Sequence, residues 1–377
     1  MFSKSKFAKL SSILLAAACI PNPLQAQAAA PAPAASTAAA PASIPVEPGE
    51  GRAVATKLAD DLVSSFVFRD QAEAYAAMLR KNAASGRYDS GTRGDLAKLM
   101  TDDLQAVHKD GHLHVMLARS AERRGGSDGP PKGFPPLIQS AKTIAPGIGY
   151  IRFSAFFGTD EELAGVRKWL AENRNAKTLI FDLRNHHGGG LDEQDVIFSY
   201  LYGQKTPLVK MAVAKDVYDS GRSPLQGGPT LVFASEGDKM VGTHSALPGE
   251  DTPLRNAKVY LLVSNRTASA AEHFALALQS TGRATLIGEA TTGANHFGGG
   301  IPLNDHFAVW MPVGRTYDIK TGKDWEGAGI APDIEVDPKQ ALVVALEKAG
   351  LSHAEAVKLD AQEMPAEPVH SDKLRAR

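Results

Sequence analysis

Residues 258–282, KVYLLVSNRTASAAEHFALALQSTG, decide the fold of this chain. The apolar run that ends at Val263 predicts a buried strand, and the apolar spacing from Phe274 onward predicts a helix. Ser269 lies in the first turn of that helix, beside unpaired backbone N–H groups and the positive end of the helix dipole. A nucleophile can be held there next to an oxyanion site. The same residues fit a capping box between Ser269 and Glu272, which on this stretch alone is the simpler interpretation.

The flanking segments alternate between strands and helices, a pattern that is typical of an α/β fold. Apolar runs predict strands at residues 148–153, 178–183, 208–213, 230–234, 285–288 and 307–312. Amphipathic spacing predicts helices at residues 161–173, 193–201 and 338–349. Turn residues predict loops at 237–253 and 291–300. We therefore expect an α/β domain over residues 116–350.

The chain ahead of this domain has helical periodicity. Apolar residues on one face predict three helices between residues 52 and 115, with a break at residues 86–92, GRYDSGT. We expect a small N-terminal helical domain over residues 51–115. At the other end, residues 351–377 are polar and are expected to form a loose tail.

The N-terminus has the composition of a secretory signal peptide. Lysines precede an apolar run, residues 13–20, that is too short to span a bilayer, and small residues around Ala28 supply a cleavage site. Residues 1–28 are predicted to be a signal peptide, and the Ala/Pro-rich residues 29–50 a disordered linker. We expect an exported protein, periplasmic or secreted. A lipid anchor at Cys19 is the less favoured alternative.

Charge and composition argue against several classes of function. The net charge is −1 and no long basic run occurs, which argues against nucleic acid as a partner. The eleven histidines show no HExxH or comparable ligand spacing, so no metal site and no cofactor is predicted. The glycine loop at residues 188–190 lacks the lysine of phosphate-binding loops. Its glycines suit an oxyanion hole better, because they let backbone N–H groups approach a substrate closely.

Four motifs in order resemble the tail-specific, or C-terminal processing, serine peptidase family. Residues 182–189, DLRNHHGG, match that family's DLRxNxGG stretch. Residues 267–272, TASAAE, match its nucleophile turn, with Ser269 at the position of the catalytic serine. Residues 283–293, RATLIGEATTG, and residues 329–333, GIAPD, match the two segments that follow. The order of the four makes the resemblance specific.

The resemblance implies a crotonase-like α/β superhelix over roughly residues 52–349, with two departures from the family. A PDZ domain has no room, because only about thirty residues separate His114 from the strand that begins at Ile148. The family's usual catalytic lysine is replaced by Ala294, and no lysine occurs between Lys258 and Lys320. A local Ser–Lys pair is therefore excluded.

More narrowly, the chain resembles the branch shared by the tricorn protease core and the repeats of interphotoreceptor retinoid-binding protein. That branch uses a histidine base and a distant glutamate, which the resemblance places at His112 and Glu326. A neutral imidazole can take the proton of Ser269, and a carboxylate can orient the imidazole. Gly111 stands where the tricorn core has a serine in its charge network. His296 and His306 are rival bases.

The resemblance also implies the groups around the substrate. The oxyanion hole would use the backbone N–H of Ala270 and one N–H from the loop at Gly188 and Gly189. The glycine-rich loop after the nucleophile helix is expected to contact the substrate through Gly293, Asn295 and His296.

Together these residues predict a serine peptidase that hydrolyses peptides or protein C-terminal tails through an acyl-enzyme. The expected partner is a peptide or protein substrate. The alternative is a non-catalytic binder of a hydrophobic small molecule, retinoid-like or lipid-like, because retinoid-binding-protein repeats share the fold and the usual lysine is absent. A third possibility is a periplasmic assembly or scaffolding module.

Overall fold

The computed structural model describes residues 41–118 and 134–363. The predicted signal peptide with Cys19, most of the predicted linker and the end of the predicted tail lie outside these ranges. Among the described residues, none of the helices combines the length and the apolar composition that a membrane crossing requires.

The described ranges contain twelve β-strands and nine α-helices. The strands are β1 His114–Leu117, β2 Ile138–Ala145, β3 Ile148–Phe153, β4 Thr178–Asp182, β5 Thr206–Ala214, β6 Leu231–Glu236, β7 Lys239–Ala246, β8 Lys258–Val263, β9 Thr285–Gly288, β10 His296–Pro302, β11 Phe307–Asp318 and β12 Ile334–Glu335. The helices are α1 Glu50–Ser65, α2 Arg69–Ala84, α3 Arg93–Val107, α4 Asp160–Glu172, α5 Asp192–Leu201, α6 Lys215–Asp219, α7 Ala270–Ser280, α8 Ala341–Lys348 and α9 His353–Glu363.

Six strands form a mostly parallel sheet in the order β12-β9-β8-β4-β3-β2, which we call the parallel sheet. Only β2 runs antiparallel to its neighbour. The inner strands β3, β4, β8 and β9 are mainly apolar because both faces of the sheet are covered there. Successive residues point to opposite faces, so Leu261 packs with α4, α5 and α7, whereas Tyr260 and Leu262 pack with α8. Strand β8 therefore lies inside the core.

The other six strands form an antiparallel sheet in the order β1-β11-β5-β7-β6, with β10 paired to β11. Helices α1 to α3 share one hydrophobic cluster with this sheet, through residues such as Leu58, Leu79 and Phe307. Helix α7 contacts β5 and β11 of the antiparallel sheet as well as β9 of the parallel sheet. The helix that follows Ser269 is thus held between the two sheets.

Most of the predicted elements are confirmed. Strands β3 and β9 have the predicted bounds, α5 and β4 differ from the prediction by one residue at one end, and α4 differs by one residue at each end. The predicted loop at residues 237–253 is wrong over Lys239–Ala246, where β7 pairs with β5 and β6. The predicted loop at 291–300 is wrong in its second half, where β10 pairs with β11. Strand β2 is an addition to the prediction.

Ordered structure also reaches into the segments predicted as linker and tail. The N–H of Arg93 donates to the carbonyl of Ile44 at 2.8 Å, which fastens the chain before α1 to the start of α3. At the other end, α9 buries Ala356. Glu363 accepts a hydrogen bond from the Ser140 hydroxyl at 2.9 Å, which attaches the end of α9 to β2.

A buried ion pair at the end of β4 fixes the loop that follows. The Arg184 guanidinium donates to both oxygens of Asp182, at 2.9 and 2.7 Å, and neither side chain is exposed. Burial alone would raise the pKa of Asp182, but the charge and hydrogen bonds of Arg184 outweigh burial and hold that pKa low. The Arg184 carbonyl accepts from the Ser264 hydroxyl at 2.5 Å, which ties the loop after β4 to the loop after β8.

Removing the cation from this pair is expected to destabilise the fold. Arg184→Met leaves the Asp182 carboxylate buried without a cation, although the Tyr150 hydroxyl still donates to it at 2.7 Å. The free energy of unfolding should therefore fall by about 3–5 kcal/mol. The matched control is Arg174→Met, because Arg174 pairs with Asp251 at 2.7 Å but both side chains are more than half exposed. The control should lose less than about 1 kcal/mol. Urea unfolding measures both losses, and equal losses would contradict the prediction.

Candidate active site

The loops that follow β3, β4, β8 and β9 meet at one edge of the parallel sheet. These strands are parallel, so their carboxyl ends lie side by side, where α/β proteins bind ligands. The loop after β4 contains Gly188, the loop after β8 contains Ser269, and the loop after β9 contains Ala294. The predicted nucleophile and the predicted oxyanion loop are therefore neighbours.

Ser269 has a strained backbone, with φ 55° and ψ −118°. It is the one non-glycine residue with positive φ among those described. Residues with side chains avoid this region, and the strain amounts to about 1–3 kcal/mol. The side chain is half-buried at the turn between β8 and α7. A strained serine at a strand-to-helix turn is a geometry that presents a nucleophilic hydroxyl to a substrate.

Glu272 holds this turn from inside α7. Its oxygens accept hydrogen bonds from the N–H groups of Ser269, Gly293 and Ala294, at 2.9, 2.7 and 2.9 Å. They also accept from the Thr291 hydroxyl at 2.5 Å. Burial raises the pKa of Glu272 to about 7, although these four donors favour the ionised form. The predicted capping contact is present at the Ser269 N–H, and the same carboxylate also fastens the loop after β9.

The loop at residues 188–190 lies directly against Ser269. A Cβ atom at Gly188 would lie 2.8 Å from the Ser269 Cβ and 3.3 Å from its Oγ, so a side chain there would displace the serine. Gly188 also has a positive φ of 99°, which glycine adopts without strain. The Ala268 N–H donates to the His186 carbonyl at 3.0 Å and joins this loop to the nucleophile turn.

Two backbone N–H groups at this contact, those of Gly189 and Ala270, donate no hydrogen bond within the described part of the chain. By contrast, the Gly188 N–H donates to Nδ1 of His186 at 3.0 Å. Burial lowers the pKa of His186 to about 3, so the ring is neutral and Nδ1 is an acceptor. Gly188 thus contributes its small size, whereas Gly189 and Ala270 are the donors available to an oxyanion.

His112 lies just before β1 of the antiparallel sheet. Its ring stacks on Trp310, with ring centroids 4.6 Å apart and an interplanar angle of 22°. Its buried Nδ1 has no hydrogen-bond partner among the residues described. Burial is the main cause that lowers the pKa of His112 to about 4; Asp110 opposes this shift and His296 adds to it. The ring is therefore neutral, as a general base must be.

The turn that carries His112 touches the loop after β9. A Cβ atom at Gly111 would lie 3.6 Å from the Cα of Ala294. The N–H of Ala294 shares one carboxylate oxygen of Glu272 with the N–H of Ser269. The candidate base and the candidate nucleophile thus stand on two turns that a single loop connects.

Glu326 contacts the backbone of this turn. Its Oε1 accepts from the Gly111 N–H at 2.7 Å, and its Oε2 accepts from the N–H groups of Asn295 and His296 at 2.7 and 3.3 Å. These bonds fix the turn on which His112 stands. The sequence assigns Glu326 to the imidazole of His112, and its contact with that ring stays a prediction.

A cluster of three titratable residues, Asp110, His296 and Glu326, contacts the turn that carries His112. Nδ1 of His296 is 2.6 Å from Oδ2 of Asp110 and 3.8 Å from Oε2 of Glu326. The ligand atoms are close enough together to hold a cation. Each carboxylate oxygen already accepts a hydrogen bond from an N–H group of the protein. The arrangement therefore fits an imidazolium better than a metal ion.

The predicted substrate contacts are buried and have partners inside the chain. A Cβ atom at Gly293 would meet the carbonyl carbon of Gly327 at 2.8 Å. Nδ2 of Asn295 donates to the Thr316 carbonyl at 2.5 Å. His296, the third of these residues, is bound to Asp110 as described above. A direct contact of the three with substrate stays a prediction. The rival base His306 is exposed between β10 and β11.

Sequence reasoning missed the roles of Asp110 and His186. Asp110 stands two residues before His112 and accepts from its N–H at 2.8 Å, a turn pattern that aspartate favours. The spacing between Asp110 and His112 could therefore have indicated the role of Asp110. No sequence pattern indicates the role of His186, because the protonation state of its ring depends on burial by residues distant in the sequence.

Comparison with known proteins supports a common origin of the α/β region. A profile of the family described as peptidase family S41 matches residues 147–336. The chloroplastic carboxyl-terminal-processing peptidase 1 of Arabidopsis thaliana is 29% identical over 187 residues, 49% of this chain and 33% of that protein. A carboxyl-terminal-processing protease of Synechocystis is 29% identical over 204 residues, 54% of this chain and 41% of that protein. The chain thus spans less than half the length of these curated relatives.

A solved structure also resembles the chain. A lipoprotein from Streptococcus agalactiae matches with a TM-score of 0.52 over 81% of this chain and 99% of that chain, at 16% identity. This likeness shows that the two proteins share a fold.

The strain at Ser269 predicts an unusual preference between small residues. Ser269→Gly should be more stable than Ser269→Ala, because glycine adopts the backbone of this turn without strain. Ser352 and Glu355 form a matched capping box at α9, and Ser352 has no positive φ. Glycine also caps a helix better than alanine. The difference in the free energy of unfolding between the glycine and alanine variants of Ser352 measures this capping preference, which both positions share. We expect the difference at 269 to exceed it by about 1 kcal/mol in urea unfolding. Equal differences would show that the turn is unstrained.

Proposed function

Because the chain belongs to peptidase family S41, we propose that it is a serine peptidase of the tricorn-like branch with a crotonase-like fold. It would hydrolyse peptides or protein C-terminal tails through an acyl-enzyme. Ser269 is the nucleophile, His112 is the base, and Glu326 fixes the base in place. The substrate class follows the carboxyl-terminal-processing activity for which the relatives are named.

One observation carries this proposal: the strained backbone of Ser269 beside a glycine that makes room for its hydroxyl. A residue that only caps a helix does not need a φ of 55° or a glycine within van der Waals contact of its side chain. Both features cost stability, and both suit the presentation of a nucleophile.

In the acylation step, His112 takes the hydroxyl proton of Ser269 while Oγ attacks the scissile carbonyl carbon. The π electrons of the C=O bond move onto oxygen, and the N–H groups of Gly189 and Ala270 stabilise this oxyanion. The His112 imidazolium then gives its proton to the leaving nitrogen as the C–N bond breaks. An ester on Ser269 remains. Water hydrolyses this ester with His112 again as the base.

A histidine from the antiparallel sheet thus replaces the lysine that tail-specific peptidases place near Ala294. Ala294 is buried, and its N–H donates to Glu272. Glu326 acts on His112 through the Gly111 N–H rather than through a serine hydroxyl.

The alternative function, binding of a retinoid-like or lipid-like molecule, is not supported by the cavity described next. A cavity of about 560 Å³ opens between the α1–α2 turn and β5. Its wall carries charges of both signs, which do not suit an apolar ligand. These charged residues are Arg69, Asp70, Lys215, Asp216, Asp219, Asp238, Lys239 and Arg315.

The site of action follows from the N-terminal composition. We propose that residues 1–28 direct export and that the peptidase acts outside the cytoplasm, in the periplasm or beyond.

Labelling with a fluorophosphonate tests the nucleophile and the base. Ser269→Ala should abolish the mass increase of the labelled protein, and His112→Ala should slow labelling by about 10³-fold or more, because the hydroxyl then keeps its proton. The same changes should abolish cleavage of a peptide library.

Ser352→Ala and His353→Ala are the matched controls, since Ser352 also begins a helix and His353 is exposed. Both controls should label at the rate of the unchanged protein. Labelling or cleavage that survives both Ser269→Ala and His112→Ala would falsify the mechanism.

A further inference from the structure

His296 lies in an ion cluster that the peptidase mechanism does not use. Its side chain is 5% exposed, and that of its partner Asp110 is 2% exposed. Glu326, whose Oε2 lies 3.8 Å from the same Nδ1, is 14% exposed. The ring also forms a T-shaped contact with Phe68, with centroids 5.5 Å apart. Two carboxylates thus approach one nitrogen of a buried imidazole.

This cluster joins the two turns of the proposed active site. Oδ1 of Asp110 accepts from the N–H groups of His112 and Leu113, at 2.8 and 2.9 Å. Its Oδ2 accepts from the ring of His296, which begins β10 directly after the loop bound by Glu272. Glu326 spans the same gap, since it accepts from Gly111 on one turn and from the loop before β10 on the other.

The charges of the cluster favour a cation at this point. Two carboxylates close together in a buried site repel each other, and a proton on His296 offsets that repulsion. Burial alone would lower the pKa of His296, but the hydrogen bond and charge of Asp110, and then the charge of Glu326, outweigh burial and raise it. The contacts and this shift both favour the imidazolium form of His296, in contrast to the neutral ring of His112.

We propose that His296 is a positioning residue for the peptidase reaction: its cation, bound by Asp110 with Glu326 nearby, connects the turn that carries His112 to the loop next to Ser269 and keeps His112 neutral. This inference rests on the proposed function. His296 touches neither the substrate nor the reacting atoms. It acts through Asp110, which holds the backbone of His112, and through its charge.

The other charged groups around the two rings do not supply this cation. His296 faces Asp110 and Glu326 and, further off, Asp324. Asp324 is paired with Arg315 at 2.7 Å, and that guanidinium lies over the far face of Phe68. The charged or titratable groups that face His112 and its supporting carboxylates are Asp110, His296, His114, Glu326 and Tyr75.

Loss of the cation should raise the pKa of His112. In His296→Gln, the charges of Asp110 and Glu326 are no longer offset, so both favour a protonated His112. A protonated base cannot take the proton of Ser269, so the rate on the acid side should fall. The labelling rate of the unchanged protein should be nearly flat from about pH 5 upward, because the pKa of His112 is lowered to about 4.

The test is the rate of fluorophosphonate labelling as a function of pH. His296→Gln should move the acid limb of the profile upward by about one pH unit, from about pH 4 to about pH 5. The labelling rate should then fall about twofold at about pH 5 and nearly tenfold at about pH 3, with no loss at about pH 8. His296→Lys, which restores a cation, should recover most of the loss. His353→Gln is the control, because Nδ1 of His353 lies 2.7 Å from Glu347 in an exposed pair. It should leave the profile unchanged.

A direct measurement of the ring charge covers the case in which His296→Gln does not fold. Nitrogen NMR of the unchanged protein should show His296 protonated above pH 6.5, its ordinary pKa, and His112 neutral at the same pH.

The raised pKa of His296 also predicts how the stability of the fold depends on pH. The pair of His296 with Asp110 stabilises the fold fully below about pH 6.5, and this stabilisation is lost as the pH rises through the raised pKa of His296.

The inference is overturned by a neutral His296 at about pH 6, or by a His296→Gln profile that coincides with that of the unchanged protein. If His296 had a purely structural role, His296→Gln would lose the same fraction of the labelling rate at every pH. That result would also contradict the inference. A failure of the proposed function can be distinguished from a failure of this inference. If Ser269 of the unchanged protein is never labelled, the NMR arm still decides the charge of His296.

Discussion

Four hydrogen bonds to one buried carboxylate, that of Glu272, hold the site together. A strained conformation persists only where its surroundings determine it from several directions. Glu272 does this for Ser269, because it binds the serine N–H and the loop after β9 with the same two oxygens. The glycine at 188 then allows the neighbouring loop to close against the side chain. The strain is thus a property of the frame around Ser269 as much as of the residue.

The proposed catalytic groups come from two different sheets, and this explains how the chain can manage without a lysine near Ala294. Helix α7 lies between the sheets, so its N-terminal end can be reached from either side. The parallel sheet supplies Ser269 and the oxyanion donors. The antiparallel sheet supplies His112. The buried cluster around His296 connects the turn that carries His112 to the loop next to Ser269. A base from the opposite sheet needs such a fastening, because no covalent neighbour places it beside the serine.

The sequence predicted the parallel core well and the antiparallel sheet less well, for a physical reason. Strands β3, β4, β8 and β9 are largely buried on both faces and are therefore mainly apolar, which single-sequence patterns reveal. Strand β7 contains Gly242, Thr243 and His244, and only its pairing with two neighbours identifies it as a strand. The Asp110–His296 bond joins residues 186 positions apart in the chain, so no local pattern could have indicated it. Motif resemblance located Ser269 and the glycine loop, but it could not distinguish a glycine that makes room from one that donates.

A crystal structure of the protein after reaction with a fluorophosphonate would show the nucleophile and the oxyanion donors together. We expect a phosphonyl group on Oγ of Ser269, with its oxygen about 2.7–3.1 Å from the backbone nitrogens of Gly189 and Ala270. We also expect the ring of His112 to face the modified oxygen. A phosphonyl group on another residue, or an oxygen directed away from both backbone N–H groups, would contradict the proposed mechanism.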